Sequence, residues 1–295
     1  MRPTAKLRNL LQQGRTVWAA GAYDALSARL IEEAGFDAML STGFGISASH
    51  LGQPDAELYT MTENLNVVRQ MVNVVNSPII ADTDTGYGNA INVMRTVREF
   101  ERAGVAAVIF EDQIAPKRCP ACVETVNTIT PEEGAGKIRA AVDARTDPDL
   151  VIIARTDAKT VDEAIFRART YVEAGADMVQ PISKGIRNLV EMRRFKEAVN
   201  APISLQILAW LETDLGPAEI EEIAAIATFP LVPLMTVTHA LRTNLRELIK
   251  AKRTADLPIP RVDLKDFNQF IGMPNIEELQ LQYLPGGPPV QISAS

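Results

Sequence analysis

The apolar run Ile79-Ile-Ala-Asp82-Thr-Asp84-Thr-Gly86-Tyr-Gly88-Asn89 closes on two carboxylates and passes at once into a glycine segment. Val108-Ile-Phe-Glu111-Asp112 repeats the device one unit later. Hard divalent cations such as Mg2+ take oxygen ligands, usually one or two carboxylates completed by water and substrate oxygens. Asp82, Asp84 and Glu111 at successive strand ends could supply such a set. A lone acid there reads equally well as a strand end reaching water. Arg155 ends a third apolar run, Val151-Ile-Ile-Ala-Arg155, where its planar fork could grip a carboxylate at two points or pair with Asp157 or Glu111.

Two cysteines complete the reactive inventory: Cys119 and Cys122, in Cys-Pro-Ala-Cys. With no second pair and no nearby His, a structural zinc site is not expected. A dithiol redox role favours a cysteine at a helix start, whereas this pair falls in a long loop. Lys117 and Arg118 could favour a Cys119 thiolate while that loop is open, and closure would change the balance. The only histidines are His50, in a loop, and His239, which could enter a pocket or simply cap a helix. Without a G-x-S-x-G segment, a Ser-His-Asp hydrolase has no support.

Something must bring these groups to one rim. Glu33-Ala-Gly35-Phe, Arg102-Ala-Gly104-Val and Glu173-Ala-Gly175-Ala each end a helical pattern just before an apolar run. Glycine just past a helix accepts the left-handed backbone of a helix stop, so these are repeated αβ junctions. Strands are expected at 17–20, 38–41, 79–82, 107–111, 151–155, 178–181, 203–207 and 231–234. Helical spacing covers 92–103, 132–144, 161–173 and 188–199. Eight strands alternating with helices predict a (β/α)8 TIM barrel over residues 1–250, with its chemistry on the loops that follow the strands. The loops 42–59 and 112–130 are the long ones. No G-x-G-x-x-G follows the first strand, which weakens the dinucleotide-binding alternative. Residues 251–295 read as a C-terminal helical extension, with short helices near 264–271 and 276–283 and a Pro/Gly-rich, poorly ordered tail. Its Phe267, Phe270, Ile271 and Leu279 need a covering surface, which a neighbouring subunit could supply.

At 295 residues and 46% hydrophobic content the chain can bury one large core. A net charge of -7 argues against a nucleic-acid or membrane-surface binder, so an anionic substrate must be attracted locally. The N-terminus carries no apolar leader and no run is long enough to span a bilayer, so a cytoplasmic protein is expected.

Taken together, Ser41-Thr-Gly-Phe-Gly-Ile-Ser-Ala-Ser-His-Leu-Gly-Gln-Pro-Asp55, Asp82-Thr-Asp84-Thr-Gly-Tyr-Gly-Asn89, Glu111-Asp-Gln-Ile-Ala-Pro-Lys-Arg-Cys119 and Ile153-Ala-Arg155-Thr-Asp-Ala158 resemble the isocitrate lyase/phosphoenolpyruvate mutase superfamily. The resemblance covers roughly the whole barrel. It lies closest to the small members: methylisocitrate lyase, dimethylmalate lyase, oxaloacetate decarboxylase and carboxyphosphonoenolpyruvate mutase. It implies a Mg2+-dependent enzyme, with Mn2+ as a substitute, that breaks a carbon-carbon bond of a small anionic 2-oxo or 2-hydroxy acid by a retro-aldol or decarboxylation route. It also implies a homotetramer that exchanges its last helix between subunits.

Carried over by position, Asp82 contacts the metal, and Asp55, Asp84 and Glu111 hold it partly through water. Asp55 after Pro54 also reads as a turn or cap. The resemblance makes Thr42, Gly43 and Phe44 the substrate-carboxylate segment, where a turn can form an anion nest. Arg155 joins them, and Cys119 is the proton donor on a mobile loop. Three departures mark this chain. The lyases have Cys-Gly-His where it has Cys119-Pro-Ala-Cys122, a Glu where it has Ile182, and an Asn where it has Gln206. In the family the last two positions face substrate, so a different or less polar substrate than methylisocitrate is expected. A phosphonate P-C mutase or hydrolase on the same platform, and a ligand-binding relative without catalysis, are the rival expectations.

Overall fold

The computed structural model describes residues 1–182 and 184–284. Eight parallel strands, β1 (Val17–Ala22), β2 (Ala38–Ser41), β3 (Ile79–Asp82), β4 (Ala107–Glu111), β5 (Val151–Thr156), β6 (Met178–Pro181), β7 (Ser204–Gln206) and β8 (Ile226–Phe229), form one sheet. Its order is β6-β5-β4-β3-β2-β1-β8-β7. A parallel bridge between Val179 and Ile203 brings β6 to the β7 edge, so the sheet is a nearly closed (β/α)8 barrel.

Helices form where apolar residues recur at helical spacing. Ala90–Ala103 buries Val93, Thr96, Val97 and Phe100 and leaves its other face to water. Val161–Glu173 begins at Thr160, whose side chain accepts the N–H of Glu163. Gly35, Gly104 and Gly175 adopt φ of 87°, 93° and 102°, the conformation the Ala-Gly junctions predict. Alternate strand residues divide the core. Val17, Ala19, Ala38, Leu40, Ile80, Ile109, Ile153 and Ile226 fill the barrel interior together with Leu7 of the N-terminal helix Pro3–Gln12. Two further clusters lie between strands and helices, around Phe100 and Tyr171 in one and around Phe195 and Ile203 in the other.

The eighth strand is corrected. It is Ile226–Phe229, and residues 231–234 instead open the long helix Val232–Ala251. Pro230 has no N–H for a further ladder bond, and Pro233 suits the first turn of a helix, where a missing donor costs nothing. Gly21 of β1 lies so close to Pro230 that a Cβ there would fall 2.0 Å from the Pro230 carbonyl oxygen. The loop after β8 is therefore only Pro230 and Leu231.

The described residues fall into two compact units, one ending at Thr236 and the other beginning at Val237. The second includes Leu264–Ile271 and Met273–Tyr283, neither of which buries a residue. The predicted Pro/Gly-rich tail from residue 285 lies outside the described residues. No described helix is long and apolar enough to cross a membrane.

Candidate active site

The loops that follow the strands enclose a cavity of about 240 Å3. That is smaller than the roughly 300 to 1,000 Å3 typical of drug-sized ligands, so it suits a small metabolite. Thr42, Phe44, Asp55, Asp82, Cys119, Arg155 and Gln206 line it together with Ile182, while Gly43, Asp84 and Glu111 do not. All its lining residues belong to the first unit, whereas His239 lies in the second.

The carboxylates gather about two buried cations. Lys117 Nζ lies 2.7 and 2.9 Å from the two oxygens of Asp55 and 2.9 Å from Asp84 Oδ1. Arg155 spans Glu111 Oε2 and Asp157 Oδ1, each at 2.7 Å. The ion-pair reading of Arg155 is thus present in the fold, on both predicted partners, and the same side chain also reaches the cavity. Five carboxyl groups (Asp55, Asp82, Asp84, Glu111, Asp157) stand against two cations (Lys117, Arg155), all almost fully buried. Among the described residues no three acids converge as a ready-made metal cage.

This imbalance shows in proton affinity. Burial, reinforced by the neighbouring Asp84, pushes Asp82 up to about 6. Burial likewise drives Glu111 well above the usual carboxylate range, although Arg155 opposes the shift. For Lys117, burial favours the neutral amine, but Asp84, Glu111, Asp55 and Asp82 outweigh it and keep the ammonium charged. Several polar atoms have no directed hydrogen bond: Asp55 Oδ1, Asp84 Oδ1 and Glu111 Oε2 meet only the nearby cations, while Glu111 Oε1, Gln180 Nε2, Arg155 Nε, Ser41 Oγ and Tyr59 OH meet no partner.

Local backbone geometry explains how β3 aims its acids. The Asp84 N–H donates to Asp82 Oδ1 at 3.1 Å, and Asp84 itself sits at φ 49°, a left-handed conformation that Asp tolerates better than most side chains. Asn64 donates to the Asp82 carbonyl and to Tyr87, and Tyr87 donates to Asp84. Gly43 plays a different part from the one expected. It is absent from the cavity wall, and its N–H points to Asp82 Oδ2 at 3.3 Å. A Cβ there would lie 2.6 Å from Tyr59 OH and 3.0 Å from Asp82, so glycine is what lets this turn pack against the acids.

The 112–130 loop lies over the cavity. The Cys119 N–H donates to the Asp55 carbonyl and the Lys117 N–H to Glu57. Gln113 ties the loop to itself through Arg118 and to the barrel through Asp157. Lys184, after β6, donates to the carbonyls of Pro120 and Val123. In this arrangement burial and the charge of Asp55 raise the Cys119 thiol to about 12, so it is a proton-bearing thiol and not a thiolate. Lys117, the flanking cation expected to favour the thiolate, turns instead to Asp55 and Asp84.

Sequence reasoning did not single out Lys117 as a buried site residue, nor Gln180, Tyr59 or Lys184. Gln180 had a usable signal, a polar residue one place before the end of an otherwise apolar strand. Lys117 and Lys184 had none, because nothing local distinguishes a lysine that folds inward from one in water.

Comparison with known proteins agrees with this geometry. The sequence profile described as Phosphoenolpyruvate phosphomutase matches residues 7–248. A 2,3-dimethylmalate lyase of Eubacterium barkeri is 41% identical over 291 residues, 97% of this chain and 100% of that protein. A 2-methylisocitrate lyase of Aeropyrum pernix is 37% identical over 94% of this chain and 90% of its own length. A phosphonopyruvate hydrolase solved in complex with oxalate and Mg2+ superposes with a TM-score of 0.86 at 31% identity, covering 96% of this chain and all of that one. With the barrel, the acids at its rim and these relatives in agreement, the chain belongs to the isocitrate lyase/phosphoenolpyruvate mutase superfamily and is an enzyme of the carbon-carbon lyase kind.

Proposed function

We propose that this protein cleaves a carbon-carbon bond in an alkyl-substituted 2-hydroxy dicarboxylic acid of the dimethylmalate type, with Mg2+ as its cofactor. The observation that carries this reading is the surplus of buried carboxyl groups beside a cavity whose far wall sets the alkyl groups of Ile182, Leu208, Ala209 and Leu231 among Gln180, Lys184 and Gln206. Asp82, Asp55, Asp84 and Glu111 are the residues that would hold the ion, Asp82 most directly. The oxygens of Asp55, Asp84 and Glu111 that lack directed hydrogen bonds, and the surplus of acid, fit a hard dication that keeps water in its shell, while the Asp82 oxygens are aimed by the N–H groups of Gly43 and Asp84. When bound, Mg2+ supplies Lewis-acid polarisation of the substrate's 2-oxygen and adjacent carboxylate.

The chain's own residues do the rest. Arg155 Nε and Gln180 Nε2, buried donors without a protein partner, hold a substrate carboxylate. The 2-hydroxyl gives its proton to a carboxylate of the buried cluster and becomes a carbonyl as the bond to the next carbon breaks, and that carbon keeps the electron pair. Cys119 Sγ, held as a thiol, gives it a proton. Pro120 and Ala121 shut the cavity from water while Lys184 keeps their turn in place.

The enzyme acts in the cytoplasm as a homotetramer with exchanged C-terminal helices. Leu264, Ile276 and Leu281 support this, being 72%, 50% and 76% exposed on helices that bury nothing. A panel of substituted malates, citrates, oxo acids and phosphonopyruvate, followed by pyruvate release and phosphorus-31 NMR with and without Mg2+, tests the reading. Metal-dependent pyruvate release from an alkylmalate is expected. Full turnover without a divalent metal, or P-C cleavage alone, sinks it.

A further inference from the structure

Cys122 has no part in the chemistry above, yet it stands against the one residue given a proton to deliver. The Cys122 N–H donates to the Cys119 carbonyl at 2.9 Å, which closes a four-residue turn with Pro120 at its second position. Such a turn holds its first and last Cα atoms within about 7 Å, and a disulfide needs them roughly 4.4–6.8 Å apart. Lys184 fastens the same turn from outside through the Pro120 and Val123 carbonyls. Cys119 is half-buried on the cavity wall, whereas Cys122 is exposed. One sulfur thus faces solvent and the other faces substrate, across a turn that needs little rearrangement to join them.

We propose that Cys119 and Cys122 form a reversible disulfide that switches the enzyme off. The exposed Cys122, as thiolate, attacks a low-molecular-weight disulfide and expels one small thiol. Cys119 sulfur then attacks Cys122 sulfur in the mixed disulfide and expels the second. Two protein thiols are oxidised to one S–S bond, the small disulfide is reduced to two thiols, and the two thiol protons leave with the products. Cys119 Sγ then carries no hydrogen. The bond itself is independent of the function proposed above, whereas the loss of activity rests on Cys119 being the donor.

The chain has only these two cysteines, so titration after denaturation reads the pair directly. Full-length protein is incubated with glutathione disulfide or with dithiothreitol, then examined by intact mass, thiol count and turnover. The expected oxidised form has no titratable thiol, a mass lower by two hydrogens, and at least about 100-fold less turnover, restored by dithiothreitol. Cys122→Ser should turn over normally and resist the loss. Two persistent thiols, or a glutathione adduct on Cys122 that never closes, would overturn the disulfide. A formed disulfide with undiminished turnover overturns the switch and the donor role of Cys119 together, while leaving the lyase reading to its own assay.

Discussion

The loops after β2 to β5 and those after β6 to β8 share one cavity but have opposite chemistry. The first set brings Asp55, Asp82, Asp84, Glu111, Asp157, Lys117 and Arg155 into a dry ionic cluster. The second lines the cavity with Pro181, Ile182, Leu208, Ala209, Pro230 and Leu231, the amides Gln180 and Gln206, a single cation, Lys184, and no carboxylate. Charge paired inside a barrel is rigid and demanding, since removing one partner strands the others. An alkyl wall is undemanding and tolerates exchange. On the proposed function, the reaction falls to one half and the choice of substrate to the other.

The hardest blow to the ionic half is Asp82→Asn. Turnover should fall by about 10^3-fold or more, and calorimetry should show Mg2+ binding greatly weakened. Near-normal metal affinity would break the assignment of Asp82. Arg155→Met should lower unfolding free energy by about 3–5 kcal/mol, because Glu111 and Asp157 are left buried without their cation. Urea unfolding measures this, and a loss below about 1 kcal/mol would mean that water reaches the pair.

A third, smaller effect follows from pH. Asp82 rises from 3.8 to about 6 on folding, so the folded chain binds that proton more tightly than the unfolded one. Below pH 3.8 both states hold the proton and nothing is lost. Between about 4 and 6 the folded state must give it up or be destabilised, and above 6 the cost is complete, up to about 3 kcal/mol. Metal-free protein should therefore lose stability from this group as pH rises through that window. Other carboxylates change in the same range, so the informative quantity is the difference in slope between the native chain and Asp82→Asn. Parallel slopes would contradict the shift.

The alkyl half should respond least. Ile182→Glu is expected to reduce kcat/KM for an alkylmalate by about 10- to 200-fold, equivalent to about 1–3 kcal/mol, with folding little changed. An equal loss on every substrate tested would erase the division between the halves.

How much of this could be read in advance varies by element. The three Ala-Gly stops and the apolar runs before Asp82, Glu111 and Arg155 locate strands and rim acids, because helix ends and buried strands impose local rules on residue type. The eighth strand was displaced by a few residues because Ile226–Phe229 and the following Leu-Val-Pro-Leu are both largely apolar, and only Pro230 separates them. Gly43 was read as an anion donor, and its N–H is instead turned to Asp82.

The sequence by itself determined the barrel, the acids at the ends of β3 and β4, the arginine at the end of β5, and the loop cysteine with its departure from the lyase pattern. Backbone periodicity and strand-end chemistry are local and leave their mark in the order of residues. Only the tertiary structure decided that Lys117 turns inward between Asp55 and Asp84, that Arg155 is shared by Glu111 and Asp157, that Cys119 is kept as a thiol, and that Lys184 holds the turn joining the two cysteines. Each of these depends on distances between segments tens of residues apart, and the balance of burial against opposite charge has no value until those segments meet.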